Sequence, residues 1–173
     1  PAHVTLRMRP GLPSLRAVAI VDEIERTFRT GRARPGFRLV HYSIQSNHAH
    51  LIVEAVDREA LGRGMMALGA RLARAVNRAA RLSGAVLADR YHVRILRTAR
   101  ECHRALRYVL LNARRHAAKL GRVLGASLHF DRASSARWFD GWRAICPEPE
   151  RARDTRPVLA PVARPRTWLL TVG

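Results

Sequence analysis

Two histidines separated by one residue are the first candidates for chemistry in this sequence. His48 and His50 lie in an apolar run, residues 47–55, that alternates as a β-strand does. Because residues i and i+2 share one face of a strand, the two imidazoles point the same way, about 7 Å apart at the backbone. They can converge on one cation, but such a pair needs a third ligand. On spacing alone, two surface or hydrogen-bonded histidines are the commoner explanation.

A tyrosine and an asparagine further along the chain supply the groups that the histidine pair lacks. Tyr108 and Asn112 are four residues apart in a segment with helical apolar spacing, so they share one face of the expected helix. An amide oxygen can bind a hard divalent cation, and a nearby tyrosine hydroxyl can attack a polarised phosphodiester. The plainer alternatives are a half-buried aromatic residue for Tyr108 and a solvated helix position for Asn112.

The charge of the chain predicts a polyanionic partner. Its 173 residues include 32 Lys and Arg against 13 Asp and Glu, a formal net charge of +19. Nucleic acid is the leading candidate and an anionic membrane surface is the rival. No apolar run reaches the roughly 18 residues of a membrane helix. Two cysteines, Cys102 and Cys146, form neither a disulfide framework nor a zinc motif and fit a reducing cytoplasm.

Arginines concentrate around the candidate residues, and some are expected to bind DNA phosphates with their planar guanidinium groups. A bias in codon composition would also enrich arginine. Glu54 ends the histidine-bearing strand on the same face and is a candidate to order a ligand. The arginines expected to bind DNA are Arg7, Arg9, Arg90, Arg94, Arg97, Arg104, Arg107 and Arg115.

The elements that must position these residues follow the order β-α-β-β-α-β-α. The first six match the ferredoxin-like split βαβ pattern, an α+β fold with an antiparallel sheet and helices on one face. An added final helix carries Tyr108. Ser14, Asp57 and Thr98 are the predicted N-caps. The predicted strands are residues 3–8, 37–45, 47–55 and 92–96, and the predicted helices are residues 15–29, 58–82 and 99–120.

The chain is predicted to divide near residue 121. Residues 1–121 are expected to form the domain that carries the candidate residues, and residues 122–173 a Pro- and Arg-rich tail. The tail carries several large apolar residues, so we expect it to dock on the domain. One helical turn is expected near residues 134–142.

The motifs together resemble a known family. Asn47-His48-Ala49-His50-Leu51 resembles the HUH motif of single-tyrosine transposases, and residues 108–112 resemble the helix that carries their nucleophile. The segments HVTLR, LADRYHVRILRT and SSARWFDGW match in the same order. These features are similar to the REP-associated tyrosine transposases, relatives of bacterial insertion-sequence transposases. One departure is Gln45-Ser46 before Asn47, where the family commonly has Met-Pro.

The resemblance implies a function as well as a fold. It implies cleavage of single-stranded DNA beside hairpins formed by palindromic repeats, through a 5′-phosphotyrosine and a free 3′-OH, with Mg²⁺ or Mn²⁺. Carried onto this chain, Tyr108 is the nucleophile, His48 and His50 are metal ligands, and Asn112 is the third ligand. Relatives act as monomers or homodimers. No membrane or protein partner is expected, and the location would be the bacterial cytoplasm, with the nucleoid.

Two other functions use the same features. A domesticated, non-cleaving DNA-binding protein could have the same fold and charge. A rolling-circle replication or mobilisation nuclease would share the histidine pair and the tyrosine. The small size and the lack of a helicase domain count against the second of these.

Overall fold

A five-stranded antiparallel sheet forms the centre of the protein. The computed structural model describes residues 1–112, 130–144 and 159–171. Its strands are β1 (Ala2–Arg7), β2 (Ala33–Arg34), β3 (Phe37–Ile44), β4 (His48–Ala55) and β5 (His92–Ile95). The order across the sheet is β2-β3-β4-β1-β5. Because β3-β4-β1-β5 is the ferredoxin-like arrangement, the predicted α+β fold is confirmed.

The strand β2 lies in residues 30–36, a segment for which the sequence predicted neither a helix nor a strand. Ala33 and Arg34 pair with the first two residues of β3. Pro35 fixes one backbone angle of the intervening turn, and Gly36 has a φ of +72° that few other residues adopt. The loop is therefore a tight hairpin, and two residues are too few for an alternating pattern to reveal.

Helices cover both faces of the sheet. The helices α1 (Val18–Gly31) and α2 (Arg58–Ala80) pack on one face. The helix α3 (Ala99–Leu110) packs on the other, against Val40 and Ile52. Within the described ranges, no helix combines the length and the apolar character needed to cross a bilayer.

Two of the three predicted helix caps are confirmed. The Asp57 side chain accepts a hydrogen bond from the Ala60 amide at the start of α2, and Thr98 does the same for Glu101 at the start of α3. The prediction for Ser14 is wrong, because α1 begins after Ala17, which makes no side-chain cap. Ser14 instead accepts from the amide of Arg16, in the turn before the helix.

The strand β4 separates two environments by its side-chain alternation. Ala49, Leu51 and Val53 are fully buried in the core beneath α1 and α2. His48 and His50 lie on the other face, together with Ile52, which packs in the cluster beneath α3. The two histidines therefore face the helix that carries Tyr108.

The described parts of the tail lie along β3. The amide of Ile44 donates to the carbonyl of Ala133 at 2.7 Å, and the amide of Ala163 donates to Leu39 at 2.8 Å. Since β2 pairs only with the first two residues of β3, these segments cover most of an edge that would otherwise be open. Short 3₁₀ helices occur at Ala136–Trp138 and Asp140–Ala144, and a four-residue helix occurs at Trp168–Thr171.

The close approach of α2 to the sheet gives a prediction about stability. A Cβ atom at Gly64 would overlap the ring of Phe37, which is buried at the start of β3. We expect Gly64→Ala to lower the free energy of unfolding by about 1–3 kcal/mol. Gly62, on the same helix, has no atom within 4 Å of an added Cβ. Gly62→Ala should therefore raise stability by about 0.5–1 kcal/mol in chemical denaturation. Equal stabilities of the two variants would contradict this packing.

A buried histidine beneath the tail predicts a pH dependence of stability. His41 lies on β3 with Nδ1 3.1 Å from the Ser135 hydroxyl, and burial lowers its pKa to about 4, partly opposed by Asp140. The unfolded chain, with an ordinary pKa near 6.5, therefore binds more protons between these values. Stability should fall as the pH drops from about 6.5 to 4, by roughly 3 kcal/mol. His41→Gln should reduce the pH dependence of the urea midpoint across this window. A variant with the same pH dependence as the wild type would refute the assignment.

Candidate active site

The two histidines of β4 meet at their Nε2 atoms. These nitrogens are 3.1 Å apart, and the rings stand nearly perpendicular at 81°. His50 is buried, and His48 is half-buried. Two imidazole nitrogens that bind one cation at about 2.0–2.1 Å are separated by roughly 3.0–3.4 Å. The spacing therefore suits either a shared cation or a shared proton.

Tyr108 joins the same point from α3. Its hydroxyl is 3.2 Å from Nε2 of His50, and the two rings make an edge contact with centroids 4.9 Å apart. Cys102, Ala105 and Val109 bury the apolar stripe of α3 against the sheet. Tyr108 directly precedes Val109, so it stands at the border of this stripe, half-buried and beside the histidines.

Two residues of β1 complete the surroundings of His50. Thr5 lies opposite His50 in the strand register, and its hydroxyl is 3.2 Å from the ring Nδ1. Nε2 of His3 is 3.3 Å from the same atom. Burial and the positive charge of Arg94 lower the pKa of His3. The sequence analysis assigned His3 no role, although the alternation of β1 and its place beside β4 in a split βαβ sheet could have indicated it.

The turn before β4 holds His48. Its Nδ1 is 2.8 Å from Oδ1 of Asn47. The carbonyl of Asn47 accepts from Met8 at 2.9 Å, and that of Ser46 accepts from Leu15 at the same distance. These backbone contacts with the segment after β1 fix the turn, and the turn fixes the first histidine.

Asn112 lies beyond the end of α3. The prediction of one continuous helix through this residue is wrong, because α3 ends at Leu110 and Leu111 has a φ of −106° and a ψ of 15°. Residues 113–120 of the predicted helix lie outside the described residues. Asn112 is only 1% exposed, and its Oδ1 has no hydrogen-bond partner among the described residues. A buried acceptor left without a partner is costly, so this oxygen is a candidate to bind a ligand.

The donor set limits what could be bound. Over the described ranges, no group of three or more His, Cys, Asp or Glu side chains is placed to hold one metal ion. A cation held by the histidine pair would therefore need other ligands, such as an amide oxygen, water or a substrate phosphate. Oxygen ligands of this kind are the ones that Mg²⁺ and Mn²⁺ prefer.

A groove between β5 and α3 leads to Tyr108. Arg94, Arg104 and Arg107 line it together with His3. Arg94 also pairs with Glu101 at 3.1 Å. Of the other arginines predicted to bind DNA, Arg7 lies opposite His48 in the strand register. Three are exposed in loops: Arg9, Arg90 and Arg97. Arg115 lies outside the described residues.

Glu54 does not turn toward the histidines. Its carboxylate accepts hydrogen bonds from the amides of Arg166 and Thr167 and from the Thr167 hydroxyl, the last at 2.7 Å. It therefore anchors the short helix Trp168–Thr171. Leu169 of that helix packs against the same apolar cluster as α3. The idea that Glu54 orders a metal ligand is replaced by a role in docking the tail.

A solved structure shares this fold, and a second gives a weaker match. A REP-associated tyrosine transposase bound to a REP hairpin matches with a TM-score of 0.60 and 16% sequence identity, over 84% of this chain and 81% of that one. A protein assigned as a transposase, from Deinococcus radiodurans, matches with a TM-score of 0.47 and 17% identity, over 68% of this chain and 88% of that one. Comparisons with family models and with curated proteins give no match. The first similarity establishes that the chain has the fold of a REP-associated tyrosine transposase.

Proposed function

We propose that this chain is a metal-dependent endonuclease and strand transferase that cuts single-stranded DNA near hairpin repeats, with Tyr108 as the nucleophile. The observation that carries the proposal is the convergence of the Tyr108 hydroxyl with the Nε2 atoms of His48 and His50. The solved transposase with this fold is bound to a REP hairpin, which supports hairpin DNA as the partner.

The residues present fit a divalent cation, Mg²⁺ or Mn²⁺. The Nε2 atoms of His48 and His50 have a separation that suits two ligands of one ion. The buried Oδ1 of Asn112 is the candidate third ligand, because it lacks a hydrogen-bond partner in the described part of the chain. When bound, the ion would polarise the phosphodiester and neutralise the charge that develops on its oxygens.

The chain's own residues account for the remaining chemistry. The Tyr108 oxygen gives its proton to water and forms a bond to phosphorus, and the bond from phosphorus to the 3′ oxygen breaks. That oxygen takes up a proton from water and leaves as a free 3′-OH, while the 5′ side stays on Tyr108 as a phosphotyrosine. Because the phosphodiester energy is kept in this bond, the 3′-OH can reverse the reaction without ATP.

The arginines are proposed to guide the strand. Arg94, Arg104 and Arg107 line the groove beside Tyr108, where they can bind the phosphates that flank the scissile bond. Arg7 lies opposite His48 and can bind the strand on the other side of the histidines. Single-stranded DNA fits this surface better than a duplex, because the scissile phosphate must reach a half-buried hydroxyl.

One prediction of the proposed function concerns the covalent adduct. Incubation with hairpin-bearing single-stranded DNA and Mn²⁺ should give a denaturant-resistant protein–DNA species, which Tyr108→Phe should abolish because phenylalanine has no nucleophilic oxygen. Binding, measured by fluorescence anisotropy, should change by less than about threefold, since the arginines remain. Tyr91→Phe is the matched control, because Tyr91 is equally half-buried but packs on the opposite core. An adduct that persists in Tyr108→Phe would overturn the assignment.

Another prediction of the proposed function concerns the cation. EDTA should stop cleavage, and excess Mn²⁺ or Mg²⁺ should restore it. His48→Ala should also lose cleavage, because one ligand of the ion is removed, while hairpin binding survives. Cleavage that continues in EDTA would contradict the metal assignment. A wild-type protein that binds the hairpin yet forms no adduct with Mn²⁺ would instead be a non-cleaving DNA-binding protein.

A further inference from the structure

We infer that His3 and Thr5 of β1 are positioning residues for the cation site, because they hold Nδ1 of His50 and so present its Nε2 lone pair to the ion. This inference rests on the proposed function for the assignment of His50 as a ligand. It adds a second strand to a site whose metal-binding residues were sought on β4 and α3.

The contacts of His50 are built into the sheet. Thr5 and His50 are directly opposite across β1 and β4, and His3 lies on the same face two residues earlier. Their polar atoms stand 3.2 and 3.3 Å from Nδ1 of His50. His50 is 6% exposed, so its ring nitrogens must find most of their partners within the protein.

The tautomer of His48 is fixed by its neighbour. A neutral imidazole carries one N–H and one lone pair. The Asn47 amide oxygen can only accept, so Nδ1 of His48, 2.8 Å away, must carry the hydrogen. Nε2 of His48 therefore carries a lone pair, which faces Nε2 of His50.

The tautomer of His50 then decides the state of the site. If Nε2 of His50 carries the hydrogen, it can donate to His48 across 3.1 Å, and the pair satisfies itself without an ion. If Nδ1 carries the hydrogen, the Nε2 lone pairs of both histidines face each other beside the Tyr108 hydroxyl, and a cation placed between them relieves their repulsion. The Thr5 hydroxyl can accept a hydrogen bond from Nδ1–H, and Nε2 of His3 can do so when His3 carries its own hydrogen on Nδ1. Both contacts lie at Nδ1 of His50, and on this inference both residues act as acceptors and hold the second form.

The direct test reads the tautomer in the metal-free protein without DNA. Long-range ¹H–¹⁵N correlation spectra distinguish the two ring nitrogens of each histidine. We expect His50 of the wild type to carry its hydrogen on Nδ1. The double variant Thr5→Val/His3→Phe keeps the side-chain shapes but removes both acceptors, so its His50 should change to the Nε2–H form. A wild-type His50 that already carries its hydrogen on Nε2 would overturn the inference.

The binding of Mn²⁺ alone gives a second readout, followed by the electron paramagnetic resonance signal of the free ion. The double variant should bind with a Kd about 10–100-fold higher than the wild type. The single variant Thr5→Ser keeps the hydroxyl, so its Kd should lie within about threefold of the wild-type value. His103→Gln, an exposed histidine on α3, is the matched control and should bind like the wild type. A Kd of the double variant within about twofold of the wild type would overturn the inference.

The outcomes separate this inference from the proposed function. Thermal unfolding of each variant checks that the fold is retained, and Thr5→Val alone serves if the double variant does not fold. Its Kd should lie between those of the wild type and the double variant. A wild type with the Nδ1–H tautomer and normal Mn²⁺ binding but no DNA adduct would count against the proposed function only. Adduct formation with an unaffected double variant would count against His3 and Thr5 only.

Discussion

The burial of one face of β4 is the constraint on which the site depends. Ala49, Leu51 and Val53 are fully buried beneath α1 and α2, and their burial fixes the register of the strand. A slip of one residue would move these side chains out of the core and the histidines into it. The packing of the apolar core thus sets the orientation of the His48 and His50 rings, which are not part of that core.

A smaller apolar cluster performs the same task for Tyr108. Cys102, Ala105 and Val109 of α3 pack on Val40 and Ile52, on the second face of the sheet. The tail adds to this cluster with Leu169 and Leu170, and Glu54 anchors the tail helix through four hydrogen bonds. The cluster that places Tyr108 contains far fewer buried residues than the core beneath α1 and α2, so the tyrosine end of the site depends on the smaller of the two cores. The histidine end depends on one strong core.

Much of this arrangement could be predicted because most elements have a local signal. Alternation located β1 and β4, short runs of strand-like residues located β3 and β5, and the side chains of Asp57 and Thr98 located the starts of two helices. The exceptions have no such signal. The strand β2 is too short for a pattern, and α1 starts without a side-chain cap. The end of α3 at Leu110 departs from a helical periodicity that continues in the sequence.

The site shows the same division. The shared face of His48 and His50 follows from the period of a strand, so it was predictable. The proximity of Tyr108 needed the packing of α3, for which the resemblance to transposases supplied the expectation. The contact of His3 with His50 joins residues that are 47 positions apart, through the register of β1 on β4. A sequence alone fixes the neighbour of a strand more readily than it fixes which residues stand opposite each other.

The measurement that tests the central claim most directly is the identity of the residue joined to DNA. Trypsin should release residues 108–114 as one peptide, because Arg107 precedes it and Arg114 ends it, and this peptide contains only one of the three tyrosines. After nuclease digestion of the trapped complex, mass spectrometry should find this peptide with a nucleotide attached through its 5′ phosphate. A nucleotide on any other peptide, or one joined through its 3′ phosphate, would contradict the account.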